Sequence, residues 1–380
     1  MNDEWKKILR FLTLVPPMIF HIVTMSLYAS KIFKNELNIS ELANIVPVYL
    51  ICIQSLLRVA IMIYKKKEIE SFIDDLGVIW RTSDRNFMQI EKKRRLVKQL
   101  KFWQTMYYWL DISGSWEYVF APLVSTIIRI FILKQNFTFA LPVGCVYPFD
   151  PTSDWFKYLA TYAFQAINVL RYSWFYIGIE YMMVTLCADL AIEFSILRED
   201  LLRVKPNTIN PELQLTSETD FGGYETVSIQ DFIRRHQKLI RLAKQLDDIF
   251  NKIIFMNLLL VTVTVCFFGL ATMVARGAAE TMNNLLVMLA LLLPVYEFCY
   301  YGDLLKEESL GIADSAYINE WYKSDIYYQK MILYVISRSQ RPCCLTSLKY
   351  VPVTMNLFTK VLSTTWSYFS LVKSIYSRGE

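Results

Sequence analysis

Histidine is nearly missing from this chain of 380 residues: His21 and His236 are the only two. They lie far apart, one in an apolar segment and one in a basic stretch, so no histidine-based relay or metal site forms from sequence neighbours. There is no HExxH, no glycine-rich phosphate loop and no CxxC. Metal binding, nucleotide cofactors and histidine-based catalysis therefore have no motif to rest on. No cofactor, metal or nucleic-acid partner is expected, and the chain reads as a non-enzyme. The seven cysteines, at 52, 145, 187, 266, 299, 343 and 344, are scattered and mostly lie inside apolar runs. Only Cys145 falls in a loop placed outside the cell below, so no disulfide framework is implied. The charged run from Asp3 to Arg10 precedes an apolar stretch with no small-residue cleavage site after it. It reads as the lead into a first membrane helix rather than a removed signal.

What the chain has is apolar surface. Apolar residues make up 54%, aromatics 15%, and the mean hydropathy is +0.29, beyond what a soluble domain carries. Segments long enough to cross a bilayer, roughly 20 residues each, fall near 12 to 33, 43 to 64, 115 to 133, 158 to 187, 253 to 275, 282 to 302 and 350 to 373. The expected class is an all-α membrane protein with seven transmembrane helices. Basic residues set its orientation. The stretches on the N-terminal side hold 29 lysines and arginines and those on the other side ten, which predicts a cytoplasmic N-terminus and an extracellular C-terminus. The glycosylation sequons at Asn38 and Asn136 both fall in loops this topology places outside.

The connections carry information too. Residues 91 to 103 (EKKRRLVKQLKFW) are charged with helical spacing, and 229 to 252 are strongly amphipathic, so helices are expected to project below the membrane. Their basic residues follow the positive-inside pattern and also offer contact to membrane lipid headgroups. Residues 205 to 228 mix Pro, Asn, Gly, Ser and acids without periodicity, the pattern of a loop. The outer loop of 134 to 157 contains LPVGCVYPFDPTSDW. It is too apolar to be well solvated and is expected to fold over the bundle, as a lid on a pocket.

The last segment is the least apolar of the seven. Asn356, Lys360, Ser363, Ser367 and Ser374 recur along one helical face, with Met355, Phe358, Leu362, Thr365, Trp366, Phe369 and Val372 opposite. A polar stripe facing lipid is costly, so this face should meet protein or water. It reads as a pore wall, interrupted in register by Leu371, an aliphatic residue able to close a narrow path by dewetting. Two further motifs lie nearby. The run SRSQRPCCLT at 337 to 346, with Phe358, Val361, Leu362 and SYFSLV at 367 to 372, resembles the C-terminal signature of insect odorant receptors. YYGDLL at 300 to 305, followed by Asp314, Ala316, Tyr317, Trp321 and Tyr322, is similar to the segment after the sixth helix in the same family. Thr365-Trp366 stands where the sister gustatory receptors carry Thr-Tyr, and Leu362-Ser363-Thr364 departs from the Leu-Lys-Thr of many relatives.

The resemblance implies an odour-tuning subunit of a ligand-gated, non-selective cation channel in the plasma membrane of sensory dendrites. It also implies a heterotetramer with a common co-receptor subunit and a small volatile odorant as ligand. The chain is then one domain, 1 to 380, with a ligand pocket within 12 to 302. A cytoplasmic anchor is expected at about 190 to 252 and 303 to 349, and a pore helix at about 350 to 376. Pore residues are expected at Ser363, Ser367 and Leu371. Ligand contacts are expected from the outer halves of helices two, three, four and six: Tyr49, Ile53, Ile127, Phe131, Tyr162, Ala166, Asn283 and Leu286. Polar groups are few in that set, which favours a mostly apolar ligand held by shape. The alternatives, a metabotropic seven-helix receptor or a small-molecule transporter, lack their own signatures: no Asp-Arg-Tyr, no Asn-Pro-x-x-Tyr, no broken-helix repeat.

Overall fold

The computed structural model describes residues 3–34, 39–80, 87–131, 141–202, 204, 228–275 and 277–376. The two sequon asparagines, Asn38 and Asn136, and most of the 205–228 segment lie outside them. The described residues are mostly helical: α1 (Asp3–Lys34), α2 (Ile39–Tyr64), α3 (Lys66–Ile79), α4 (Phe87–Phe131), α5 (Trp155–Leu201), α6 (Ile229–Val274), α7 (Ala278–Ile318), α8 (Ile326–Ser339) and α9 (Met355–Tyr376). A short 3-10 turn, Trp321–Lys323, and a two-residue hairpin, Thr346–Ser347 with Val351–Pro352, complete the described elements.

Seven of these helices are long enough to cross a bilayer, with α3 and α8, at 14 residues each, too short. Five contain a span that is also apolar enough: 13–32, 45–64, and stretches of α5, α6 and α7. The remaining two, α4 and α9, mix charge or hydroxyl groups into their length, as the sequence of 91 to 103 and the stripe of the last segment require. The helices run further than the apolar segments. The amphipathic 229–252 stretch and the apolar 253–274 stretch form the single 46-residue helix α6, and the charged 87–110 region continues into α4. Backbone hydrogen bonding propagates at low cost once a helix is nucleated, and no proline interrupts α6 or the first 35 residues of α4. Ser228 caps α6 by accepting from Gln230 N at 3.3 Å, and Asp325 caps α8 by accepting from Tyr328 N at 2.9 Å.

The largest core lies in the extended ends of α5, α6 and α7, where Phe194, Phe232, Leu246, Phe250, Leu305, Ile312 and Ile332 are all but inaccessible. This gives the amphipathic face of 229–252 its partner. Side chains then stitch the elements together. Asn319 Nδ2 donates to the carbonyls of Leu201 and Val204 at 3.0 and 3.1 Å, and Asp247 accepts from Thr346 N and Oγ1 at 2.6 and 2.7 Å. Gly302 on α7 meets the chain entering α9 so closely that a Cβ there would lie 2.7 Å from the Val353 carbonyl oxygen. Only glycine fits that approach.

The outer loop folds inward over its described part. Gln165 of α5 brackets Val143, accepting from its N at 3.1 Å and donating to its O at 3.1 Å, and Val146 N donates to Thr24 O at 3.2 Å. Val143 and Cys145 pack with Met18, Met25, Cys52 and Tyr172. A Cβ on Gly144 would sit 2.5 Å from the Tyr28 ring. The two histidines are far from each other's surroundings: His21 lies against Phe164 and Tyr172, His236 against Phe194 and Phe232.

Candidate functional site

Packing α2, α4, α5, α6 and α7 together leaves a chamber of about 300 Å³, at the small end of the range for ligand pockets. Its apolar wall includes Val48, Ile51, Phe268, Val287 and Leu291, and its polar wall Tyr107, Asp111, Ser115, Ser173, Asn283 and Asn284. Each helix supplies its wall through ordinary 3.6-residue spacing: Val48, Ile51 and Cys52 on α2, and Val169, Tyr172, Ser173 and Tyr176 on α5. Ser115 and Ser173 hydrogen-bond across α4 and α5 at 2.6 Å.

Beside Tyr176 the bundle holds a buried ionic network. Arg58 Nη2 donates to Glu180 Oε1 at 2.6 Å and to Asn257 Oδ1 at 2.5 Å. Asn257 Nδ2 donates to the same Glu180 oxygen at 2.8 Å, Gln54 Nε2 donates to Asn257 Oδ1 at 2.6 Å, and the guanidinium stacks 4.0 Å over the Tyr176 ring. Three helices, α2, α5 and α6, are thereby tied beside the chamber. Charges this deep persist only when paired and hydrogen-bonded.

Asn283 and Leu286 stand on the chamber wall. The other expected ligand residues are elsewhere. Tyr49 is hydrogen-bonded to Ser26 at 2.9 Å and packs between α1 and α2, while Ile53 is half-buried on α2 one residue from the lining Cys52. Tyr162 donates its hydroxyl proton to the Val119 carbonyl and packs with Tyr158, and Ala166 packs against the same cluster. Ile127 is 46% exposed on the outside of α4. Phe131 is the last residue of α4, and its side chain lies outside the described ones. Sequence reasoning missed Tyr107, Asp111, Ser115 and Ser173. The available signal was DISGS at 111 to 115, one acid with small hydroxyl residues inside an aromatic run.

The last helix presents two faces. Val361 and Thr365 are buried, Phe358 packs on Tyr296 of α7 with ring centroids 5.5 Å apart, and Phe369 fills the space Gly269 leaves on α6. Asn356, Lys360, Ser363, Ser367 and Leu371 are exposed, as are Leu362 and Trp366. The last two belong to the side expected to be apolar and covered; within this one chain nothing described covers them. Cys266 on α6, two residues from the chamber-lining Phe268, reaches the Thr365 carbonyl at 3.5 Å. The chamber wall and the seat of α9 thus share one stretch of one helix.

Seven membrane-length helices, five of them walling a mostly apolar chamber, give the build of a multi-span membrane protein with an internal pocket. Residues 38–366 match the 7tm odorant receptor family over most of the chain; the chain belongs to that family, and its role is olfactory reception. It is 23% identical to odorant receptor 67c of Drosophila melanogaster over 323 residues, 84% of this chain and 76% of that protein. It is 26% identical to odorant receptor 13a of the same organism over 286 residues, 69% of this chain and 64% of that one. In three dimensions it resembles the insect olfactory receptor OR5 from Machilis hrabei, solved in complex with eugenol. That match has a TM-score of 0.80 and 14% identity, and covers 98% of this chain and 91% of the other.

Proposed function

We propose that this chain is the odour-sensing subunit of a heteromeric, ligand-gated, non-selective cation channel: it binds a small volatile in the chamber and contributes its last helix to a shared pore. The observation that carries the proposal is the exposure of the polar stripe of α9 while Phe358 and Phe369, across the helix from it, are seated on α7 and α6. A single stripe encloses nothing, whereas several copies around an axis enclose a path. Ser363 and Ser367 would line that path and Leu371 would close it. The eugenol complex of the related OR5 supports a small odorant as the ligand class. Asn283 and Leu286 are the expected residues with which a ligand would make contact. The cytoplasmic N-terminus rests on the distribution of basic residues and the two sequons, and placement in the plasma membrane of a sensory dendrite on the family likeness. The partner is the co-receptor subunit, in a heterotetramer held by the α5 to α8 region beyond the membrane.

The test is electrical. Cells expressing this chain with the co-receptor should give odour-evoked cation current, and cells expressing this chain alone or the co-receptor alone should not respond to the same odorant. Robust odour-evoked current from this chain by itself would refute the obligate partnership.

A further inference from the structure

We infer that the chamber is built for a small amine whose nitrogen is held by Asp111; this rests on the chamber being the ligand site and names the chemistry of its ligand. Asp111 lines the chamber, and its Oδ2 is buried without a hydrogen-bond partner. The Ser115 hydroxyl is within hydrogen-bonding reach of the same carboxyl group, and Ser115 is in turn tied to Ser173 at 2.6 Å. The carboxyl group is therefore positioned from one side with one acceptor oxygen unengaged.

A second polar group lies alongside. Tyr107 lines the same chamber, is 1% exposed, has a hydroxyl with no partner, and lies within electrostatic reach of Asp111. Buried polar groups are normally satisfied, and leaving one unmade is costly. Two unsatisfied groups facing one chamber ask for a ligand that satisfies both.

Charge decides which ligand. The ionisable side chains lining the chamber, besides the tyrosines and Cys52, are Asp111, Glu117 and Glu280, all acidic; among the described lining residues there is no lysine, arginine or histidine. Arg58, behind Tyr176, is already engaged by Glu180 at 2.6 Å. An alkylammonium group donates one N–H to Asp111 Oδ2 and a second to the Tyr107 oxygen, and sets a positive charge beside the Asp111 carboxylate. Its hydrocarbon part meets Val48, Ile51, Phe268 and Leu291. Against Asp111, a carboxylate or an aldehyde of the same size sets an acceptor against an acceptor. An alcohol donates one bond but brings no charge.

The experiment measures binding of hexylamine and 1-hexanol, matched in length, to the full chain in nanodiscs of zwitterionic lipid, with empty discs subtracted. The expected result is at least tenfold tighter binding of the amine. In Asp111→Asn, which preserves shape, the amine should bind at least tenfold more weakly and that preference should collapse. Equal affinities in the unmutated chain, or an amine preference that survives Asp111→Asn, overturns the assignment. Gly114 lines the chamber where an added Cβ meets open space, so Gly114→Leu should weaken both probes. If Gly114→Leu changes neither, or neither probe binds the unmutated chain, the chamber itself is not the ligand site and the amine assignment falls with it.

Discussion

Phe369 of α9 occupies the space above Gly269 of α6, and a single methyl group tests that contact. A Cβ at Gly269 would lie 2.7 Å from Phe369 Cδ2 and 3.0 Å from Cε2, whereas carbon atoms settle at about 3.5–4.0 Å. Either the ring retreats by about 1 Å or α9 moves with it. Overpacking of this kind costs about 1–3 kcal/mol, against a gain of about 1 kcal/mol when alanine replaces glycine inside a helix. Gly269→Ala should therefore lower stability by about 1 kcal/mol in the unmutated background. In a Phe369→Ala background the ring is gone and only the helical gain remains, so the same substitution should raise stability by up to about 1 kcal/mol. The assay is a double-mutant cycle read from thermal unfolding of the four full-length proteins in detergent. The reversal of sign is the result to look for. If Gly269→Ala has the same sign and size in both backgrounds, Phe369 is not seated on Gly269 and the account of how α9 is held is wrong.

Three further outcomes are expected. Leu371→Ser, on the exposed face of α9, should raise resting current or alter cation selectivity in cells that also express the co-receptor, whereas Phe369→Ser should mainly reduce surface assembly; leak confined to the second mutant would mean the other face lines the pore. Arg58→Met strands Glu180 inside the bundle and should cost about 3–5 kcal/mol, with Arg58→Met combined with Glu180→Leu recovering most of it; a double mutant no more stable than the single, by thermal unfolding, would deny the pairing. His236, outside the apolar 253–274 stretch of α6, is held at about 4 rather than 6.5 by burial and by the charge of Arg338. Below pH 6.5 the unfolded chain therefore binds a proton that the folded chain refuses, and stability should fall by up to about 1.4 kcal/mol per pH unit toward pH 4. His236→Gln should lose that slope, and an unchanged slope would show that another group sets it.

The helical segments were legible because membrane length and period are local properties: the apolar runs, the amphipathic 229–252 stretch and the stripe from Asn356 to Ser374 can each be read one segment at a time. Their joining was harder to see. The charged stretch at 91 to 103, expected as helix below the membrane, runs on into the span as one helix, α4, since a helix needs no change of backbone to pass from water into lipid. The chamber was the least legible part. Its wall depends on which face of each helix meets which neighbour, so Tyr49 turns to Ser26 and Tyr162 to the Val119 carbonyl. Asp111 and Ser115 join the wall from a stretch that looked like the threshold of a span. Asn283 and Leu286, near the start of α7, stand on the wall, although Leu286 is 43% exposed as well.

Gly302 turns the last helix into a lever. The chain enters α9 pressed against α7, backbone on backbone, so the near end of the helix is pinned. Its far end carries exposed side chains from Ser367 to Leu371, apart from Phe369. Sixteen residues separate Met355 from Leu371, an arm of about 24 Å at helical rise. A tilt of about 5° about the pinned end displaces Leu371 by about 2 Å, roughly the radius of a methyl group. A small change in how α6 seats Phe369, about 21 Å along the same arm, is thus delivered at the tip slightly enlarged, without any bond in the helix having to break.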